Sequence, residues 1–271
     1  MIIVGERLNS TRAEVLDALR RRDGEWLVGQ AQKQKEAGSA FIDLNCAALL
    51  DGEIEALNRH IPELQERLQV VLSLDSPNPA ALEAGLRIHR GRPLLNSLSG
   101  EPKKLKALLP LIGEFKPKVI ALCMDDAGLP STPEESLDVA RRVADLLLEQ
   151  GLNPEDVFFD PLVRPVGIDP GSVRQFLSAL EKIKAGLPGF KTIAGLSNVS
   201  FGMPSRRLLN RTFLVLCLKN GLDAAILDPL DRELMDALSS SEALLGREGA
   251  VRAFLQRARG KKSSPPKPDR V

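Results

Sequence analysis

The sequence predicts an α/β fold, a (β/α)8 TIM barrel, on three observations. Short apolar runs end again and again on polar residues: IIVGERLN on Glu6 and Asn9, FIDLN on Asp43 and Asn45, VVLSLDS on Asp75, LLNS on Asn96, VIALCMD on Asp125, VFFDP on Asp160, TIAGLSN on Asn198 and AAILD on Asp228. These endings recur at intervals of roughly 20–40 residues with helical sequence between them, the rhythm of a barrel whose strand ends converge on one mouth. The length of 271 residues suits one such barrel.

The elements follow in order. The strand candidates are short and almost continuously hydrophobic, as strands buried on both faces are. Thr11 and Glu14 form a capping-box pattern that opens a helix over TRAEVLDALRRR. A second helix, EWLVGQAQKQKEA, stops at Gly38, a C-terminal glycine. DGEIEALNRHIPELQERL bridges strands two and three, with Pro62 marking a helix boundary or kink. NPAALEAGLRIHR ends at Gly91, and EPKKLKALLPLIGEF joins strands four and five. Thr132, Pro133 and Glu135 supply cap, N1 proline and reciprocal glutamate for the helix EESLDVARRVADLLLEQ, closed by Gly151. PGSVRQFLSALEKIKAG and RTFLVLCLKNG follow strands six and seven, and DRELMDALSSSEALLG and EGAVRAFLQRARG follow strand eight. An open, doubly wound sheet is the competing architecture; its dinucleotide version is disfavoured because GERLNS lacks the GxGxxG fingerprint. The barrel domain is expected over 1–259. The basic, proline-rich segment 260–271, GKKSSPPKPDRV, is expected to be a disordered tail.

Composition narrows the function. Lys and Arg number 37 against 36 Asp and Glu, a net charge of +1, so no broad field draws in nucleic acid or an acidic membrane. No apolar stretch reaches the roughly 18 residues of a membrane span, and the amino terminus has no leader pattern, so a cytoplasmic location is expected. Cys46, Cys123 and Cys217 are widely spaced, without CxxC, and are expected to be buried reduced thiols. His60 and His89 lie in charge-rich helical sequence and are expected at the surface rather than as ligands.

The polar ring has no histidine and no strand-end lysine, so it suits neither Schiff-base aldol chemistry nor the usual zinc hydrolysis. Its carboxylates leave a magnesium site open as an alternative. Otherwise Asp43, Asp75 and Asp160 alternate with Asn45, Asn96 and Asn198 as paired acceptors and donors. An aspartate takes two parallel N–H bonds from a 2-amino-pyrimidinone edge, and an asparagine matches a neighbouring donor and acceptor. A pterin has that edge.

IIVGERLN, DLN, LDS, LLNS, FDPL and GLSNVSFGMPSR, in this order, resemble the pterin-binding barrel of the methyltetrahydrofolate-dependent corrinoid methyltransferases. The resemblance runs from Met1 through the helices after Asp228, and GLSNVS followed by NRTF (Asn210 to Phe213) is its most specific part. The nearest resemblance is to the stand-alone enzyme that methylates a corrinoid iron–sulfur protein in acetyl-CoA synthesis. The folate domain of cobalamin-dependent methionine synthase and dihydropteroate synthase are further relatives. The resemblance implies transfer of the N5-methyl of methyltetrahydrofolate to the Co(I) of a corrinoid protein that arrives as a separate partner. It also implies a homodimer, and no metal bound by the chain itself. It carries pterin contacts onto Asp75, Asn96 and Asp160, an adjoining wall onto Gly195 and Ser197, an arginine position onto Arg206, and the contact to folate N5 onto Asn198, supported by Asp160 or a water. The acetogenic relative has a glutamine where this chain has Phe201; SNVSF looks more like the methionine-synthase branch and leaves the acceptor open.

Each assignment has a plainer competitor. Asp43 and Asn45 serve either the pocket or the following turn; Asp160 and Asp228, both before proline, are also turn aspartates; Glu6 pairs structurally or faces the mouth. Met124 and Met203 read as core filling and Ser239–Ser241 as helix surface. The rival functions are a dihydropteroate synthase-like enzyme, a non-catalytic folate-binding module that docks on a corrinoid protein, and a metal-dependent barrel lyase. The usual lysine and Ser-x-Arg of the first rival are not evident near the C-terminal strands.

Overall fold

The structure, a computed structural model, describes residues 1–262. Eight strands, β1 (Ile2–Asn9), β2 (Phe41–Asn45), β3 (Leu72–Asp75), β4 (Leu94–Ser99), β5 (Lys118–Leu122), β6 (Val157–Asp160), β7 (Lys191–Gly195) and β8 (Ala224–Leu227), close in sequence order into a barrel. Every neighbouring pair is parallel, including β1 with β8. The helices are α1 (Ala13–Arg20), α2 (Gly24–Glu36), α3 (Glu53–Leu68), α4 (Pro79–Ile88), α5 (Pro102–Phe115), α6 (Pro133–Glu149), α7 (Ser172–Gly186), α8 (Arg206–Lys219), α9 (Arg232–Leu244) and α10 (Ala250–Lys262). The barrel read from the sequence is therefore the fold. The tail expected over 260–271 keeps its first three residues in α10, and the rest of that expectation lies outside the described residues.

Strand alternation builds the site. Val4, Phe41, Leu94, Ile120, Phe158, Ile193 and Ala224 fill the inside of the barrel as one buried cluster, a plug drawn from seven strands. Inward side chains repeat every second residue. One step above the plug, toward the C-terminal ends, the inward positions are Glu6, Asp43, Asn96, Leu122, Asp160, Gly195 and Ile226, and all seven line the cavity at the mouth. On β3 the register pairs Asp43 with Ser73 and Asn45 with Asp75, and Asp75 with Asn96 on β4, so the polar residues of three adjacent strands share one wall.

Several local expectations need correction. Thr11 does not cap α1: its amide and hydroxyl both donate to Asn9 Oδ1, and the helix starts after Arg12 without a side-chain cap. The helix after β7 begins at Arg206, five residues before the expected RTFLVLCLKNG. His60 and His89 are buried, not surface residues. Burial lowers the His89 imidazole to about 4, and its Nε2 accepts the amide of Leu72 at the head of β3. A neutral histidine here supplies an acceptor for the first amide of β3. Ser241 is buried on α9, whereas its two neighbours in the run are half-buried. Pro62 lies within α3. The cap at Thr132 is present, accepting from the Glu135 amide, while Glu135 Oε2 accepts from the amide of Ser131 rather than of Thr132. The three cysteines are free and buried, as expected.

Beneath the barrel, buried Asp156 accepts from Arg92 Nη2 at 2.7 Å and from Lys118 Nζ. Burial pushes its carboxyl up, but these two cations outweigh burial and hold it below 3.8. A depressed carboxyl stabilises the fold fully above its unfolded pKa, and that contribution is lost as the pH falls through the folded value. Asp156→Asn is expected to cost about 1.5–3 kcal/mol at neutral pH. Urea denaturation should show the gap from the parent narrowing below pH 3.8.

Candidate active site

A cavity of about 1210 Å³ opens at the C-terminal mouth of the barrel. Its floor and one wall carry most of the residues singled out from the sequence: Asp43, Asp75, Asn96, Asp160, Gly195, Ser197, Asn198 and Arg206 all line it. Asn45 does not. Its amide donates to Asp75 Oδ2 at 3.0 Å while its carbonyl accepts from Ser10 Oγ at 2.7 Å and from the Ala47 amide at 3.2 Å. Asn45 therefore stands behind Asp75 and fixes one of its oxygens. Asp125 is also outside the cavity lining, paired with Arg142 on α6.

Asp43 is almost completely buried. Its Oδ1 accepts from Ser73 Oγ at 2.6 Å and Asn96 Nδ2 at 3.2 Å. Its carboxyl also lies within hydrogen-bonding reach of Asp75. Burial first, and the Asp75 charge second, raise Asp43 well above the ordinary carboxylate value, so Asp43 holds the proton of the pair. Burial raises Asp75 as well, against the opposing hydrogen bonds from Asn45 and Asp43. Asp75 is thus the acceptor that faces the cavity, held from behind on both sides.

Across the floor, burial pushes the Asp160 carboxyl up to about 6, although the amides of Leu162 and Gly195 donate to it. Asp160 receives the turn amide of Leu162 at 2.8 Å and also lines the cavity. A buried carboxylate short of donors favours a ligand that brings N–H groups. Asp43, Asp75 and Asp160 line the cavity together with the amide of Asn96.

The wall after β7 is a 3₁₀ turn over Leu196–Ser200 that the sequence did not announce. Asn198 is exposed to the cavity, and its side chain makes no hydrogen bond among the described residues; no bond joins it to Asp160. The two flank Gly195, whose amide serves Asp160, and a Cβ at Gly195 would stand 3.0 Å from Asn198 Nδ2. Ser197 Oγ donates to Glu6 Oε2 at 3.2 Å. Arg206 braces the turn, donating to Ser200 Oγ at 3.1 Å and to the Ser197 carbonyl at 3.0 Å. Glu6 pairs with Arg12 rather than Arg7, and burial raises its carboxyl against the opposing charge of Arg12. Arg7 instead pairs with Asp228 at 2.8 Å.

Sequence reasoning missed Ser73, the donor to Asp43, and Arg7, Arg12 and Arg211 in the upper wall. Ser73 was findable, because it lies two residues before Asp75 and so on the same inward row. The arginine pairs join segments up to 221 residues apart and leave no local signal. Among the described residues no group of three His, Cys, Asp or Glu side chains is placed to hold a metal ion.

The pterin binding enzyme family matches residues 5–228 of the chain. A protein of Eubacterium limosum named methylcorrinoid:tetrahydrofolate methyltransferase is 33% identical over 267 residues, covering 98% of each chain. Two solved dihydropteroate synthases share the fold. That of Yersinia pestis superposes with a TM-score of 0.66 over 90% of this chain and 93% of its own at 15% identity. That of Xanthomonas albilineans with 4-aminobenzoic acid gives 0.69 over 90% and 93% at 18% identity.

Proposed function

The chain belongs to the pterin binding enzymes, and from that premise we propose that it moves a methyl group between N5 of a tetrahydrofolate and the cobalt of a corrinoid carried by a separate protein. The observation that carries the reading is the array of Asp75, Asn96 and Asp160 at the floor of a cavity whose β7 wall presents the Asn198 side chain unbonded. Asp75 takes the parallel N–H bonds of the 2-amino-pyrimidinone edge, Asn96 matches the adjoining donor and acceptor, and Asp160 takes a further N–H. Asp43 and Asn45 set the charge and aim of Asp75. Gly195 and Ser197 give the wall, and Arg206 keeps its turn in place.

With the pyrimidine edge there, N5 falls toward the β7 wall. In the folate-to-cobalt direction the Co(I) electron pair forms the Co–C bond. The C–N5 pair remains on N5, which takes a proton. The amide of Asn198 is free to donate to N5 as its charge changes, a preorganised dipole at the atom where the barrier is set. The Eubacterium limosum protein is named for the reaction with methylcorrinoid as donor. In that direction the N5 pair attacks the methyl, the Co–C pair returns to cobalt and N5 sheds its proton, so the same contacts serve both.

The Asp160 carboxyl gives a pH signature. N–H donors from the ligand favour its ionised form, so bound folate draws its value below the free value of about 6 and affinity weakens as the pH falls through that point. Asp160→Asn should remove the break near pH 6 and leave any lower one. Calorimetric titrations of tetrahydrofolate from pH 5 to 8 check this; an unchanged break in the variant would assign it elsewhere.

Affinity for tetrahydrofolate with no dihydropteroate formed from a pterin pyrophosphate and 4-aminobenzoate separates this reading from the synthase. Product in that assay would reverse the assignment. The proposal extends to a homodimer in the cytoplasm. The exposed apolar side chains Val215 and Leu216 on α8 with Leu244 and Leu245 at the end of α9 support the first, and the three free thiols accord with the second. A monomer mass by light scattering would remove the dimer.

A further inference from the structure

Two of the eight strands are irregular where they reach the mouth. On β1 the three steps from Gly5 to Leu8 run beside two on β2, from Ile42 to Leu44. On β4 the two steps from Asn96 to Leu98 run beside one on β5, from Ile120 to Ala121. Each strand therefore holds one extra residue, and such a bulge re-aims a side chain. Along β4, Leu94 belongs to the plug inside the barrel, whereas Leu95 and Leu98 are both buried in the core shared with the helices. Strict alternation would turn Ser97 the same way as Leu95 and bring Leu98 inward. Instead Asn96 and Ser97, consecutive residues, both line the cavity. On β1 the same device brings Glu6 and Arg7 in together, between Gly5, which faces Gln34 on α2, and Leu8 in the outer core.

Three of these four side chains are engaged. Glu6 holds Arg12, Arg7 holds Asp228, and Asn96 donates to Asp43. The Ser97 hydroxyl is half-buried at the cavity and makes no hydrogen bond among the described residues. The floor beside it is short of donors. Asp75 and Asp160 are acceptors, and the Ser73 hydroxyl and one N–H of Asn96 both go to Asp43. A 2-amino-pyrimidinone edge carries acceptors as well as N–H groups. Its ring carbonyl has two lone pairs, of which the second N–H of Asn96 serves one. The other calls for a donor at the same strand end.

We propose that Ser97 is a further pterin contact, its hydroxyl donating to the ring carbonyl of the folate. The inference rests on the folate reading above. Asp75 on β3 pairs in register with Asn96 on β4. With the N–H groups of the edge on Asp75, the carbonyl next to them is turned toward β4, where the bulge has placed Ser97. The extra residue thus gives one strand end two polar side chains for one ligand edge.

The test titrates the full chain with tetrahydrofolate carrying ¹³C at the ring carbonyl, and reads affinity by calorimetry and the carbonyl stretch by isotope-edited infrared difference spectra. Loss of one neutral hydrogen bond predicts that Ser97→Ala binds about fivefold more weakly. The stretch of the bound carbonyl should move to higher frequency in that variant, because a donor has been withdrawn. Ser97→Thr keeps the hydroxyl and should restore both readings. An unshifted stretch in Ser97→Ala, whatever its affinity, or an affinity equal to the parent's, would overturn the contact and leave the folate reading standing. Failure of the parent to bind tetrahydrofolate would instead remove the folate reading itself. Circular dichroism of the variants guards against loss of folding.

Discussion

Asn198→Ala is expected to lower the rate of methyl transfer by about 10²–10³-fold, the usual loss when one preorganised donor to a developing charge is removed. Folate affinity should change by less than about threefold, because the side chain has no partner to abandon and sits away from the pterin edge. Single-turnover rates measured beside equilibrium Kd values check the split. Parallel losses in rate and affinity would make Asn198 a general binding contact and move the N5 role elsewhere.

The second large effect belongs to Asp75. Asp75→Ala should weaken tetrahydrofolate binding by about 10²–10³-fold, since it removes a charged acceptor of paired N–H bonds and leaves Asn45 Nδ2 buried without a partner. The loss also frees Asp43 from a neighbouring carboxylate, so the proton held there becomes easier to remove, although burial still holds its value up. Asp75→Asn should bind better than Asp75→Ala, because an amide still offers one acceptor and still meets Asn45. Calorimetry on the three proteins reads this order. If Asp75→Ala bound folate as well as the parent, the pterin edge would have to sit on another wall.

Much of this was legible in the sequence because it is periodic. The eight apolar runs and their polar endings follow from strand alternation, and alternation explains why Asp43, Asn96 and Asp160 stand one step above Phe41, Leu94 and Phe158. The same rule stops short at Asn45. It is inward by count, yet Ser10 and the Ala47 amide draw its carbonyl away, and its amide goes to Asp75 instead of the cavity. Local patterns failed where a tertiary partner competed. Thr11 fits a capping box, but Asn9 Oδ1 is nearer. His60 and His89 look solvated among their charged neighbours, but only one side of each helix meets water. The arginines of the upper wall were hidden for a different reason: Arg7 pairs with Asp228 across almost the whole chain, and only the closed barrel brings the two together.

The most direct test of the central claim is an anaerobic one. The protein is mixed with methyltetrahydrofolate and Co(I) cobalamin, and the Co(I) absorbance is followed against the growth of methylcobalamin; the reverse run starts from methylcobalamin and tetrahydrofolate. The account predicts catalysed exchange in both directions, slowed by about 10²–10³-fold in Asn198→Ala while that variant still binds folate. Tight folate binding with no transfer to or from any cobalt acceptor, free or protein-bound, would contradict it and leave a folate-binding module in its place.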